Sequence, residues 1–195
     1  YNQLGLQTLY EHQYWNGEDW ENLWQTVFTY DAHGNLTHGL NQNWNLDHWE
    51  NASENSYVYN ENNLLQSSIT QMDNGAELVN TETTYTYNTE DKLVSESSHT
   101  WGNSWSDYYQ TLYTYDGNKN LINILKQAKN GEIFENTSQT IYTYDGSLKP
   151  ASILNQVWKE NAWVDFALER MKYNKDDSLT NYSYRYWSAD GITVM

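Results

Sequence analysis

The chain has 195 residues, which suits one domain or one repeat array, and carries 26 Asp and Glu against 10 Lys and Arg for a net charge of −16. That balance argues against a phosphate-binding surface, which needs a basic footprint, and against an anionic membrane as partner. The absence of Cys excludes a disulfide framework and thiolate metal sites, while 10 Trp, 18 Tyr and 3 Phe separate the chain from acidic disordered sequences.

The chain opens on "YN", Tyr1 and Asn2, and this pair recurs to the end. Tyr1, Tyr30, Tyr59, Tyr87, Tyr115, Tyr144 and Tyr173 are each followed by Asp or Asn, at intervals of 28 or 29 residues. A start at Tyr rather than Met, without a signal peptide, is what a piece of a longer protein is expected to show. After each anchor Tyr comes a polar turn, as in "YDAHGNL" from Tyr30 and "YDGNKNL" from Tyr115. There an Asp or Asn side chain can bond the backbone amides that follow, and Gly or Asn tolerates left-handed φ. Leu then stands six residues past the anchor at Leu36, Leu65, Leu93, Leu121 and Leu179, with Gln7 and Pro150 as exceptions. Gln follows at +12 (Gln13, Gln42, Gln71, Gln127, Gln156) and Trp at +14 (Trp15, Trp44, Trp101, Trp158, Trp187). A second turn, such as "WNGEDW", "WNLDHW" or "WKENAW", carries the chain back. Counting back from the next anchor, Trp20, Trp49, Trp105, Phe134 and Trp163 stand at −10, and Asn22, Asn51, Asp107, Asn136 and Asp165 at −8. Aromatics stand at −2 in most copies, for example Tyr57, Tyr85 and Tyr113.

Each repeat therefore reads as two strands, near 36–44 and 49–59 in the second copy. The array reads as an antiparallel meander of about thirteen or fourteen strands with almost no helix. All the marked offsets are even, which predicts that Tyr, Leu, Gln and Trp share one face. An exposed face so apolar exceeds what monomers tolerate. The expected fold is thus all-β, a tandem-repeat meander of β-hairpins over residues 1–195, with a curved sheet closing into a barrel or half-shell around its aromatic face.

The string Tyr-x-Tyr-Asp-x-x-Gly-Asn-Leu, nearest here to "FTYDAHGNL" from Phe28, resembles the YD repeat of Rhs-type bacterial surface and secreted proteins. The resemblance covers nearly the whole chain, although the period is longer than the usual unit and four of seven copies carry Asn for Asp. It implies a β-sheet segment of a secreted or cell-surface protein, with other segments of a longer parent protein as its neighbours.

Catalytic chemistry finds little to work with. His12, His33, His38, His48 and His99 follow no ligand spacing, and Glu90/Asp91 and Asp176/Asp177 fall in turns. No Gly-rich phosphate loop opens a helix. The expectation is a non-catalytic chain without cofactor, nucleic-acid partner or membrane insertion. Asp116, Asn118 and Asn120 offer oxygens to Ca2+, but calcium sites take six to eight oxygens and turn chemistry accounts for these residues.

Glycan is the alternative ligand. Strands lie ~4.8 Å apart, so equivalent positions on two-strand repeats lie ~9.6 Å apart, the scale of a disaccharide. Trp44, Trp49, Trp101, Trp105, Trp158 and Trp163, with Gln42 and Asn51 beside them, could form a stacking and hydrogen-bonding platform for a glycan, or the chain could meet a surface protein. The competing reading makes the same Trp residues cross-strand pairs that clamp their own hairpins, with Gln42 and Asn51 as a ladder.

Overall fold

The protein is described by a computed structural model over residues 1–73, 77–103, 106–146, 148–188 and 191–194. It is all-β. The strands are β1 (Leu9–Trp15), β2 (Trp20–Tyr30), β3 (Leu36–Asn45), β4 (His48–Tyr59), β5 (Leu65–Asp73), β6 (Leu78–Tyr87) and β7 (Leu93–Trp101). They continue with β8 (Ser106–Tyr115), β9 (Leu121–Asn130), β10 (Ile133–Tyr144), β11 (Pro150–Lys159), β12 (Ala162–Tyr173), β13 (Leu179–Ser188) and β14 (Gly191–Val194). Strand order along the sheet is chain order, so the described pairings are antiparallel neighbours joined by short turns.

The chain divides into two compact units, one of Tyr1–Thr86 with Ser97–Tyr108 and one of Tyr87–Glu96 with Tyr109–Met195. The first contains the β1-to-β6 meander. The second contains the meander from Tyr109 of β8 through β14. Among the described residues β1 pairs with β2 alone and β14 with β13 alone. The expected closure into a barrel is therefore not made.

Nor does either unit have an enclosed core. Among the described residues only Ala167, at 3% exposure, Gln25, at 8%, and the side-chain-less Gly39 are buried. The apolar face tolerates this because much of it is Tyr, Thr and Asn, whose polar tips remain wet while their stems cover neighbouring strands.

The turn after each anchor is built the same way every time. Asp31 Oδ1 accepts the amides of His33 (2.9 Å) and Asn35 (2.8 Å). Asn60, Asn88, Asp116 and Asn174 do the same two and four residues on. The fourth residue past the anchor has positive φ in all seven repeats: Gly5, Gly34, Asn63, Asp91, Lys119, Leu148 and Asp177. Gly adopts that region freely and Asn or Asp with little penalty, whereas Lys119 and Leu148 are strained there.

Two β-bulges at fixed phase explain the period. The first follows the anchor. Tyr30 faces Leu36 and Thr29 faces His38, so Thr37 is the extra residue. Gln66, Ile122, Ala151 and Thr180 occupy the same position in other copies. The second lies seven residues before the next anchor, at Leu23, Ala52, Thr137 and Phe166. These four bulges fall in the four intervals of 29 residues. The β5–β6 hairpin, in the 28-residue interval from Tyr59 to Tyr87, pairs without a shift. One residue of period is one bulge.

The bulges overturn the single-face expectation. A bulge inserts one residue and so reverses alternation beyond it. Leu36 stays opposite Tyr30, but Gln42 opposes Gln25 and Asn51, and Trp44 opposes Trp49. In β2, Gln25 is odd-numbered where Phe28 and Tyr30 are even, so the Gln/Trp set and the Tyr/Leu set occupy opposite faces. Below, they are called the Trp face and the Tyr face.

Candidate functional site

On the Trp face each hairpin ends in a pair of rings. Trp44 and Trp49 meet edge-to-face at 4.9 Å and 69°, and Trp158 and Trp163 at 4.9 Å and 67°. Trp15 and Trp20 meet at 5.6 Å and 61°. This is the preferred aromatic geometry, in which the edge of one ring occupies a face of the other. All four rings of the first two pairs are half-buried, whereas Trp15 and Trp20 are 52% and 65% exposed. Trp101 has no edge-to-face partner among the described residues and instead stacks on His99 at 4.4 Å, which stacks on Tyr108 at 3.7 Å. Trp105 lies outside the described residues.

Beside the rings runs an amide ladder. Gln25 donates to Gln42 (2.7 Å) and Gln42 to Asn51 (2.8 Å). Gln139, Gln156 and Asp165 repeat it at 2.6 and 2.7 Å. Single rungs join Gln13 to Asn22, Gln71 to Asn80 and Gln127 to Asn136. The candidate glycan-binding amides Gln42 and Asn51 are thus already bonded to each other. The structure gathers Trp44, Trp49, Gln42 and Asn51 into one cluster, and Trp158 and Trp163 into a second.

On the Tyr face the anchor itself has a task that spacing alone did not disclose. Tyr30 donates its hydroxyl to the carbonyl of Gln7 (2.8 Å), Tyr59 to Leu36 (3.0 Å), Tyr115 to Leu93 (2.9 Å) and Tyr144 to Leu121 (2.8 Å). In each case the acceptor is the sixth residue of the preceding repeat. The β3–β4 ladder stops at His38 and Ser56, two residues short of Leu36, and the Tyr59 hydroxyl takes the carbonyl left over. Burial pushes the phenols of Tyr59 and Tyr144 above their ordinary value. Lys92 lies over the latched Tyr115 ring at 5.3 Å, and Lys149 lies over the ring of the anchor Tyr173 at 4.8 Å.

The titratable residues singled out by sequence are dispersed. His38 meets Glu54 at 2.8 Å, and His48 lies against Asp47 and Glu50, whose acceptor oxygens raise its pKa. His12 stacks on Trp24. Asp116 bonds the amides of Asn118 and Asn120 through Oδ1 and the Asn120 side chain through Oδ2 (3.1 Å), contacts from Asn120 foremost that lower its pKa. Among the described residues no three His, Asp or Glu gather in a metal-binding group.

Fold and side chains together define a class, a tandem-repeat β-meander whose polar and aromatic groups mostly engage the neighbouring strand. No protein-family profile and no curated protein matches the chain. Among solved structures it is similar to a porin-like protein from Bacteroides uniformis ATCC 8492, at 11% identity over 90% of this chain and 95% of that one, with a TM-score of 0.29. At that TM-score the likeness carries no argument about fold or function.

Proposed function

We propose that the chain is a non-catalytic structural segment, a spacer or adhesive sheet of YD/Rhs-like type within a longer secreted or cell-surface bacterial protein. The observation that carries this reading is the tyrosine latch, the same hydroxyl-to-carbonyl bond joining one repeat to the one before it in four places. Groups that repeat identically and bond one another serve the array rather than a single site. A spacer is also indifferent to which repeat is removed. Excising residues 31–59 joins Tyr30 to Asn60 in phase, and the shortened chain is expected to keep its β-sheet circular dichroism and cooperative melt.

The second reading, carbohydrate binding by the Trp face, is favoured by the exposure of Trp15 and Trp20. A glycan array read by tryptophan fluorescence separates the two. No saturable binding that depends on the Trp pairs is expected of a spacer. Saturable binding of a long glycan by the intact chain, lost in Trp101→Ala with the fold retained, refutes the spacer.

A further inference from the structure

A patch on the Trp face of the second unit departs from the rest of this acidic chain. Arg170 on β12 faces Ser152 on β11 and Ser183 on β13. Ser152 in turn faces Thr143 on β10 and shares a 2.7 Å hydrogen bond with it. Two residues along β12, Lys172 faces Asn181. The resulting rows are hydroxyl, hydroxyl, guanidinium, hydroxyl, and beside them ammonium and carboxamide. Carboxylates outnumber cations 26 to 10 in this chain, yet the side chains of Arg170 and Lys172 pair with no carboxylate among the described residues. The Ala151 bulge and the short Ser183 and Asn181 leave a depression of about 640 Å³ around the two cations, with Asp145 at one side. That size falls within the about 300–1,000 Å³ of small-molecule sites.

We infer that this depression binds a hydroxylated monocarboxylate, the chemistry of a uronic acid. Successive same-face residues of a strand stand about 6.8 Å apart, so Arg170 and Lys172 can both reach one carboxylate. The guanidinium fork matches that group in two parallel bonds. Ser183 and Asn181 are placed to bond ligand hydroxyls. Asp145, whose Oδ1 accepts the Lys149 amide, repels a second anionic group at its side. The field of a chain at −16 repels polyanions generally, which restricts the ligand to a single charge. This site is independent of the spacer reading and of the Trp pairs.

The test is an NMR titration of amide shifts with sodium glucuronate, its methyl ester, its methyl glycoside and acetate. Saturable shifts on β11–β13 are expected with glucuronate at a dissociation constant on the order of 1 mM, and at least tenfold weaker binding by the methyl ester and by acetate. Binding of glucuronate alone assigns a free acid, and binding of the glycoside as well assigns a glycan terminus. Arg170→Gln and Lys172→Gln should each weaken binding tenfold or more with the melting temperature unchanged, as both side chains are exposed. The inference fails if the ester binds as well as the acid, if no shift saturates, or if Lys159→Gln, a charge removed from the far turn of β11, weakens binding as much as Arg170→Gln.

Discussion

Replacing Tyr144 by Phe removes one oxygen and leaves the ring in place, so it isolates the latch. The lost bond is 2.8 Å long and partly buried. A hydrogen bond contributes about 0.5–1.5 kcal/mol net, and a partner left without water costs more. Leu121 is half-buried, so water can reach its carbonyl in part, and the expected loss is about 1 kcal/mol. For a chain of this size that corresponds to about 2–4 °C in melting temperature. The Tyr30 latch to Gln7 has the same geometry but is exposed. Water replaces the hydroxyl there, and Tyr30→Phe should cost under about 0.5 kcal/mol. Tyr59→Phe should resemble Tyr144→Phe, and the two losses should add, since the residues share no partner. Urea melts with hydrogen exchange at the amides beside Leu121 and Gln7 provide the readout. A loss in Tyr30→Phe equal to that in Tyr144→Phe, or no loss in either, would refute the latch as an inter-repeat bond. Titration adds a check. The Tyr144 pKa is raised in the fold, so its contribution is complete below the unfolded value near 10 and disappears as pH rises through the folded one. Tyr144→Phe should therefore lose less stability than the parent in alkaline melts.

Other expectations follow from the turns, bulges and rings. Leu148 is 52% exposed with φ 61°, so Leu148→Gly should stabilise by about 0.5–1 kcal/mol, the relief of left-handed strain less the added freedom of the unfolded chain; a destabilised variant in denaturant melts contradicts the turn geometry. The Asp116 pKa lies below its ordinary 3.8, so its contribution is present above that pH and fades as pH falls through the folded value. Asp116→Asn, the residue other copies use, should flatten the acid limb of a melting curve taken from pH 5 to pH 2. Deleting Ala52 removes only a bulge and should leave a cooperative melt, whereas deleting Ser56 puts Ser53, Glu54 and Asn55 on the wrong faces and should lower stability further; equal effects would mean the bulge is misplaced. Trp158→Ala should lower the melting temperature through loss of the Trp163 contact, worth about 0.5–1.5 kcal/mol beyond area, with no accompanying change in glycan response.

Much of this architecture is legible in the residues. The anchors at Tyr30 and Tyr59 and the turns between them place β3 and β4 within a residue or two of their observed ends, because turn chemistry and strand length are local. Facing Trp44 with Trp49 and Gln42 with Asn51 is likewise readable from symmetry about the hairpin turn. What failed was parity. Thr37 and Ala52 look like ordinary strand residues, and nothing in their chemistry marks them as bulges. The one available signal was the two 28-residue intervals among the 29-residue ones, whose meaning appears only once the β5–β6 register is known. Closure failed for a different reason. It assumed that Tyr85, Tyr113 and Leu36 shared a face with Trp44 and Trp101. With the aromatics divided between two faces, neither is apolar enough to demand a cover. The Arg170 patch was invisible because Ser152, Arg170 and Ser183 belong to three different strands and fit no motif.

The strictly sequential strand order has a kinetic consequence. In the described pairings no residue waits for a partner more than about twenty positions away, Trp24 and Asn43 being among the most distant. Sheet proteins ordinarily fold slowly because loops between remote strands must close before contacts reward them. Here each hairpin can close on itself and then add to the strand before it. A chain threaded through a membrane pore or leaving a ribosome can therefore fold from its leading end while the rest is still in transit, and no unfinished strand needs the far terminus to shield its edge.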